Sequence, residues 1–265
     1  MTDSVKIYLT RGKEGCALAE RLGAIAIVVD ALRASATLAA LLEHGISRIL
    51  VIASVEDARA HAACEPDALL VGERGGERLD GFHLGNSPLE IIAAPDFAAR
   101  TAIFTSSNGA QRLAACLHAH RTLVGSVSNA GAVVEWTRRT AVADQRPVVL
   151  IAAGQYPDEN FISPEDESTC AYLAARLGLP IAADAQAAFA HLEREFILHG
   201  LADIFHHSAH AQRLMKIGYS EDVLFCARAD TLRTLPVVSG PVMLGDRLIG
   251  VEVREQDQRQ PCTQY

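Results

Sequence analysis

Six consecutive apolar residues, Ala-Ile-Ala-Ile-Val-Val at 24–29, run unbroken until they meet Asp30. A strand shows alternate residues to opposite faces, so a run with no polar member predicts burial on both. Runs of the same kind recur at 48–52, 68–71, 101–104, 122–127 and 148–152, with a shorter strand candidate at 5–9. Helical stretches at 35–43, 55–64, 109–118 and 130–140 lie between them. Repeated strand–helix units predict an α/β chain in three layers, α/β/α, with a largely parallel central sheet covered by helices on both faces.

Residues 163–176 begin another helix, with Ser163 as its N-cap candidate, Pro164 at the first helical position and Glu165 and Asp166 in the first turn. The chain then reads as helical over 184–216 and strand-like over 223–227 and 235–238. It closes on a hairpin over 242–253 that turns at Gly245-Asp246. No Gly/Ser/Pro-rich linker and no internal repeat divides it. One domain over 1–265 is expected, with a helical and hairpin elaboration over about 180–255.

Composition narrows the function. The 24 basic residues are outnumbered by 32 acidic ones, and the net charge of −8 argues against nucleic acid or an anionic membrane surface as partner. A small anionic ligand remains compatible, through local positive charge. The longest apolar stretch, 22–29, is far short of a membrane span. Residues 1–10 lack the order of a signal peptide. The six cysteines (16, 64, 116, 170, 226 and 262) form no CxxC pair and read as reduced, mostly buried thiols. The expected compartment is the cytoplasm. A homodimer is the default association.

The chemistry gathers where the apolar strands end. Asp30, Arg33 and Ser35 follow the first, and Glu73 and Arg74 the run at 68–71, in a loop that continues to Asn86 and Ser87. Ser106, Asn108 and Gly109 follow the run at 101–104. Asn129 follows 122–127, and the segment after 148–152 leads to Glu165 and Asp166. In an open parallel sheet the carboxyl ends of the strands form the ligand edge. Each residue also has a plainer reading. Asp30, Asn108 and Gly109 could start helices, Glu73 could pair with Arg74, and Glu165 and Asp166 could serve the helix dipole. As a set, Asp30, Glu73, Glu165 and Asp166 are hard oxygen ligands of the kind Mg²⁺ takes, usually through one or two carboxylates. Arg33 and Arg74 offer forked donors for phosphate or sulfonate. The backbone at Asn108-Gly109 offers N–H groups to an anion. A P-loop, a GxGxxG fingerprint and a GxSxG elbow are all missing. His206, His207 and His210 on a helical stretch read better as a polar face than as a zinc site.

The segments VVDALRAS, LLVGER, GFHLGNSP, SSNGA, SVSNA and PED resemble, in that order, the 2-phosphosulfolactate phosphatase (ComB) family. The motif-bearing match covers about 24–175 and continues more faintly through SAHAQRLMKIGYSEDVLFCARAD. The resemblance implies a compact fold with a central mixed sheet. It also implies a Mg²⁺-dependent phosphoric monoester hydrolase that converts 2-phospho-3-sulfolactate to 3-sulfolactate, a step toward coenzyme M. Carried over residue by residue, it implies catalytic roles for Asp30, Glu73 and Asp166, and metal ligation by Asp30, Glu73, Glu165 and Asp166. Substrate contacts would come from Arg33, Ser35, Arg74, Asn86, Ser87, Ser106, Asn108, Gly109 and Asn129. His83 stands where the family more often has aspartate, which implies an altered pocket charge and pH response. The loop over 155–162 looks longer than usual. Another phosphorylated hydroxy acid as substrate, or a non-catalytic anion binder, are the competing readings.

Overall fold

The computed structural model describes residues 5–95, 97, 100–159 and 161–257. The first half alternates β1 (Ile7–Arg11), α1 (Gly12–Leu22), β2 (Ile25–Val29), α2 (Ala34–Glu43), β3 (Arg48–Ile52), α3 (Val55–Ala62), β4 (Leu69–Arg74) and the short β5 (Glu77–Arg78). It continues through α4 (Pro88–Ala93), β6 (Thr101–Thr105), α5 (Gly109–Ala115), β7 (Arg121–Val124), α6 (Ala130–Asp144) and β8 (Val148–Ala152). The second part holds α7 (Pro164–Leu177), α8 (Gln186–His199), α9 (Leu201–His207), α10 (Ala209–Lys216), α11 (Ser220–Cys226) and the hairpin β9 (Pro236–Leu244) and β10 (Arg247–Glu255).

Two readings of the sequence change. Residues 223–227 are not a strand: Val223 and Cys226 fall in α11, whose first turn carries Glu221 and Asp222. A run of five apolar residues suits either element, and helical spacing buries Val223 and Cys226 while Leu224 stays exposed. The helix α1 had no prediction. Its buried positions Gly12, Gly15, Cys16 and Ala19 are small, so they carry little hydrophobic signal at the right spacing, and Gly23 ends it with φ +53°. Ser163 sits at the N-cap of α7 as expected, though its side chain makes no capping hydrogen bond. The described cysteines are free, Cys64 exposed and Cys16, Cys116, Cys170 and Cys226 buried. Cys262 lies outside the described residues. No helix among the described residues is long and apolar enough to cross a membrane.

The ten strands form one mixed sheet, ordered β1-β8-β2-β7-β9-β10-β3-β6-β4-β5, in an α/β/α arrangement. β1, β8, β2 and β7 are mutually parallel, as are β3, β6 and β4. The terminal hairpin lies between the two groups, pairing antiparallel with β7 on one side and β3 on the other. Three successive antiparallel pairings, β7–β9, β9–β10 and β10–β3, make the two parallel groups run in opposite senses.

The strands do bury both faces. In β2, Ile25, Ile27 and Val29 enter one core with Val133, Trp136 and Leu173, whereas Ala26 and Val28 enter a second with α2 and α5. That second core also receives Ile49, Val51, Val71 and Phe104 from the other strand group. Both groups therefore share one helical layer. The inner helix α2 suits this place: every residue from 34 to 42 is buried, and its alanines and serine allow close approach from all sides. Leu50, Ile52 and Ile103 face a third, smaller core with Ala58 of α3. Loops that follow oppositely running strands meet at one place.

Candidate active site

A cavity of about 380 Å³ opens where the loops after β2, β4, β6 and β8 meet α10. It is lined by Asp30 and Arg33, by Glu73, Gly75, Gly76 and Asn86, by Ser107 and Asn108, by Gln155 and Tyr156, and by His210 and Arg213 of α10. These loops meet through hydrogen bonds rather than through strand order. Gly109 N–H donates to Asp30 Oδ2 at 2.8 Å, and Ser107 N–H donates to Glu73 Oε1 at 2.8 Å. A Cβ at Gly109 would stand 2.8 Å from Asp30 Oδ2 and 3.2 Å from Ala34 Cβ, so a larger residue would displace the Asp30 carboxylate.

Asp30 ends the most buried strand and is itself 6 % exposed. Burial, with the Glu73 charge adding to it, raises its pKa to about 6, against the opposing pull of His210 and the Gly109 N–H. A carboxyl group poised near neutrality in a cavity can both take and return a proton. Ser35 does not reach the cavity; its Oγ accepts from Asp30 N–H and fixes the turn into α2.

Asp166 is buried behind the loop. Its two oxygens accept from Ala31 and Gly154 N–H at 2.8 and 3.0 Å, tying the ends of β2 and β8 to α7. Burial, then the charges of Glu165 and Asp30, push its pKa well above the usual aspartate value. Glu73 spends both oxygens as well, on the N–H groups of Gly76 and Ser107. Glu165 differs. It is 1 % exposed, neither oxygen has a hydrogen-bond partner among the described residues, and Oε1 lies 3.6 Å from His210 Nδ1. Burial acts to raise its pKa, but its neighbours, His210 foremost among them, together leave it below the ordinary value. Among the described residues no three His, Cys, Asp or Glu side chains gather around one metal-sized point. The four carboxylates thus do not converge on one ligand set. Asp30 and Glu165 both lie near His210, and of the four only Glu165 accepts no hydrogen bond among the described residues.

The arginines separate. Arg33 lines the cavity, but its guanidinium donates to Asp222 Oδ2 at 2.6 Å and to the Gly76 carbonyl at 2.7 Å, and stacks 3.9 Å above the Tyr219 ring. Arg74 turns away from the cavity. It donates to the carbonyls of Glu73 and Ala53 and to Thr105 Oγ1, clamping the end of β4 to its neighbours. Asn86 lines the cavity, 5 % exposed, and its Oδ1 has no partner among the described residues. Ser87 caps α4 through Glu90 N–H and donates to Asp222 Oδ1.

The N–H groups expected to hold an anion at the start of α5 are occupied: Gly109 serves Asp30, and Ala110 donates to Ser106 Oγ. Asn108 lines the cavity and accepts from Tyr156 N–H through Oδ1, which holds the loop after β8 in place. Asn129 is fully buried away from it. Its amide accepts from Ser126 N–H and Oγ and donates to the carbonyls of Val124 and Thr234, joining β7 to the approach of β9. His210, read from the sequence as part of a polar face, lines the cavity, and Arg213, Tyr219 and Asp222, which the sequence did not single out, line or support it. All fall in the weaker block SAHAQRLMKIGYSED, and that faint resemblance was the available signal.

The family model described as 2-phosphosulpholactate phosphatase matches residues 13–241, from α1 into β9. The chain belongs to this family. It is by class a phosphoric monoester hydrolase. It is 34 % identical over 236 residues to a probable 2-phosphosulfolactate phosphatase of Symbiobacterium thermophilum, covering 85 % of this chain and 96 % of that one. A protein of the same description from Gloeobacter violaceus is 34 % identical over 80 % of this chain and 86 % of its own. One from Carboxydothermus hydrogenoformans is 33 % identical over 79 % and 84 %.

The departure from the family pattern at His83 lies outside the cavity. His83 is exposed, and its Nδ1 accepts from Leu70 N–H at 2.9 Å. An aspartate oxygen would accept the same bond, so the exchange preserves a loop anchor and leaves the pocket's charge alone. In the loop over 155–162, Glu159 pairs with Arg112 at 2.9 Å and accepts from Lys13 N–H at 3.0 Å, which fixes Gln155 and Tyr156 over the cavity.

Proposed function

We propose that this member of the family hydrolyses 2-phospho-3-sulfolactate to 3-sulfolactate and phosphate, with Mg²⁺ as cofactor, a step of the kind that leads toward coenzyme M. The observation that supports it best is the cavity itself: a carboxyl held near pH 6 beside His210 and an arginine without a counter-charge. A small, multiply anionic acid fits such a site, and at about 380 Å³ the space suits a compact ligand.

The donor chemistry fits Mg²⁺ in its usual protein mode, with one or two carboxylates and the rest of the shell from water and phosphate oxygens. Glu165 is the residue that would hold it, with Asp30 beside it left free to move a proton. The buried Glu165 oxygens, without hydrogen bonds, have the unmet need a cation would satisfy. When bound, the ion would neutralise charge on the phosphoryl group. Asp30 would take the proton of the attacking water as the phosphorus–oxygen bond to water forms. It would return that proton to the 2-oxygen of sulfolactate as the ester bond breaks. Glu73 and Asp166 tie the loops together by accepting from backbone N–H groups of four segments.

Phosphate release from synthetic 2-phosphosulfolactate tests this, with Mg²⁺ and with EDTA, beside 2-phospholactate and 3-phosphoglycerate. Mg²⁺-dependent release selective for the sulfonate compound is the expected result. Release only from the other esters would remove the substrate and keep the chemistry. A folded protein that releases phosphate from none would overturn the proposal.

A further inference from the structure

The substrate proposed above carries a second acidic group besides its phosphate, and the arginines differ sharply in what they have left to give it. Arg33 is neutralised by Asp222 and also held by the Gly76 carbonyl and the Tyr219 ring. Arg74 points away, and Arg112, which does not line the cavity, is paired with Glu159. Arg213 lines the cavity with no hydrogen bond or ion pair among the described residues.

We propose that Arg213 grips the carboxylate or sulfonate of the substrate and, with Asn86, sets the preference for phosphorylated acids over simple phosphomonoesters. The inference rests on the phosphatase reading. It also requires that Arg213 be held in place, and the helix α10 supplies this. Ser208 caps α10 through Ala211 N–H at 3.1 Å, and Ala211 and Leu214 are buried, which seats the helix against the core. His210, one turn earlier on the same face, is anchored beside the buried Glu165. The guanidinium fork matches a carboxylate or sulfonate through paired donors. Asn86 supplies the independent sign of a ligand: a buried amide in the cavity wall whose oxygen has no partner among the described residues. Turned about its terminal bond, the amide presents its NH₂ to the same acidic group.

Arg213→Gln tests this through a ratio, kcat/KM for 2-phosphosulfolactate over kcat/KM for p-nitrophenyl phosphate, which has no second acid. Loss of a charge-assisted fork predicts a fall of roughly 10- to 100-fold in that ratio, mainly through KM. Arg213→Lys should recover part of it. Arg213 is exposed, so folding should persist, checked by circular dichroism. A ratio unchanged from wild type, or an equal loss on both substrates, overturns the proposal. Stabilisation by 3-sulfolactate, read as a shift in melting temperature, needs no turnover and gives a second reading. Wild type should be stabilised and the Arg213→Gln protein much less so; equal shifts, or none in wild type, count against Arg213. If wild type releases no phosphate from 2-phosphosulfolactate, the substrate reading fails, and the melting experiment still decides the role of Arg213.

Discussion

Replacing Asp30 with asparagine should abolish phosphate release and at the same time stabilise the protein above pH 6. Asp30 is buried at the end of β2, and its pKa lies at about 6 rather than 3.8. Below pH 3.8 the group is protonated whether the chain is folded or not, and it exacts no penalty. Between 3.8 and 6 the unfolded chain releases the proton while the folded protein retains it, so stability falls as pH rises. Above about 6 the folded protein holds a buried charge and the full cost is felt. At about 1.4 kcal/mol per pH unit that cost is about 3 kcal/mol. Asparagine removes it and keeps an oxygen to accept the Gly109 N–H. Its NH₂ group, at the cavity wall, takes back about 1 kcal/mol. A net gain of about 2 kcal/mol corresponds to a rise of roughly 4–8 °C in melting temperature for a chain of this size. The assay is thermal or urea unfolding of both proteins with EDTA at pH 4, 6 and 8. The gap should be near zero at pH 4 and largest at pH 8. Bound Mg²⁺ favours the ionised carboxylate and should narrow it. A variant less stable than wild type at pH 8, or a gap indifferent to pH, would refute the reasoning.

Asp222→Ala should cost about 3–5 kcal/mol in urea unfolding, because it strands Arg33, 1 % exposed, without its counter-charge. A loss under 1 kcal/mol would mean that Arg33 finds water or another acceptor. Asn129→Ala removes an amide that satisfies four groups around β7 and should lower stability by about 2–4 kcal/mol, read by the same unfolding experiment. His83→Asp keeps the acceptor for Leu70 N–H outside the cavity, so its pH profile of kcat/KM should superimpose on that of wild type. A displaced profile would put residue 83 in electrical contact with the site.

Much of this was legible in one dimension. The unbroken apolar runs located β2, β3, β6 and β8 because burial on both faces leaves a local mark on composition. The polar residues that follow the apolar runs located the cavity, since Asp30, Glu73, Asn86 and Asn108 all line it. Periodicity reports burial and says nothing of chain direction. The hairpin read from its Gly245-Asp246 turn therefore gave no hint that it would lie at the centre of the sheet and reverse one half against the other. The division of labour among similar residues was hidden for a related reason. Whether an arginine or carboxylate is spent depends on partners far away in the chain: Arg33 and Asp222 are 189 residues apart, Ala31 and Asp166 135. Two arginines can thus look alike in sequence while one clamps strands and the other faces the cavity.

The sequence by itself determined the layers, the central strands and the acidic and amide residues that ring the site, because each depends on short-range pattern. Only the tertiary structure decided that His210 and Arg213 belong to that ring, that Arg74 and Asn129 do not, and that Glu165 is buried without a hydrogen-bond partner among the described residues. Those outcomes depend on which groups the folded sheet brings within hydrogen-bonding distance, and no local pattern encodes that.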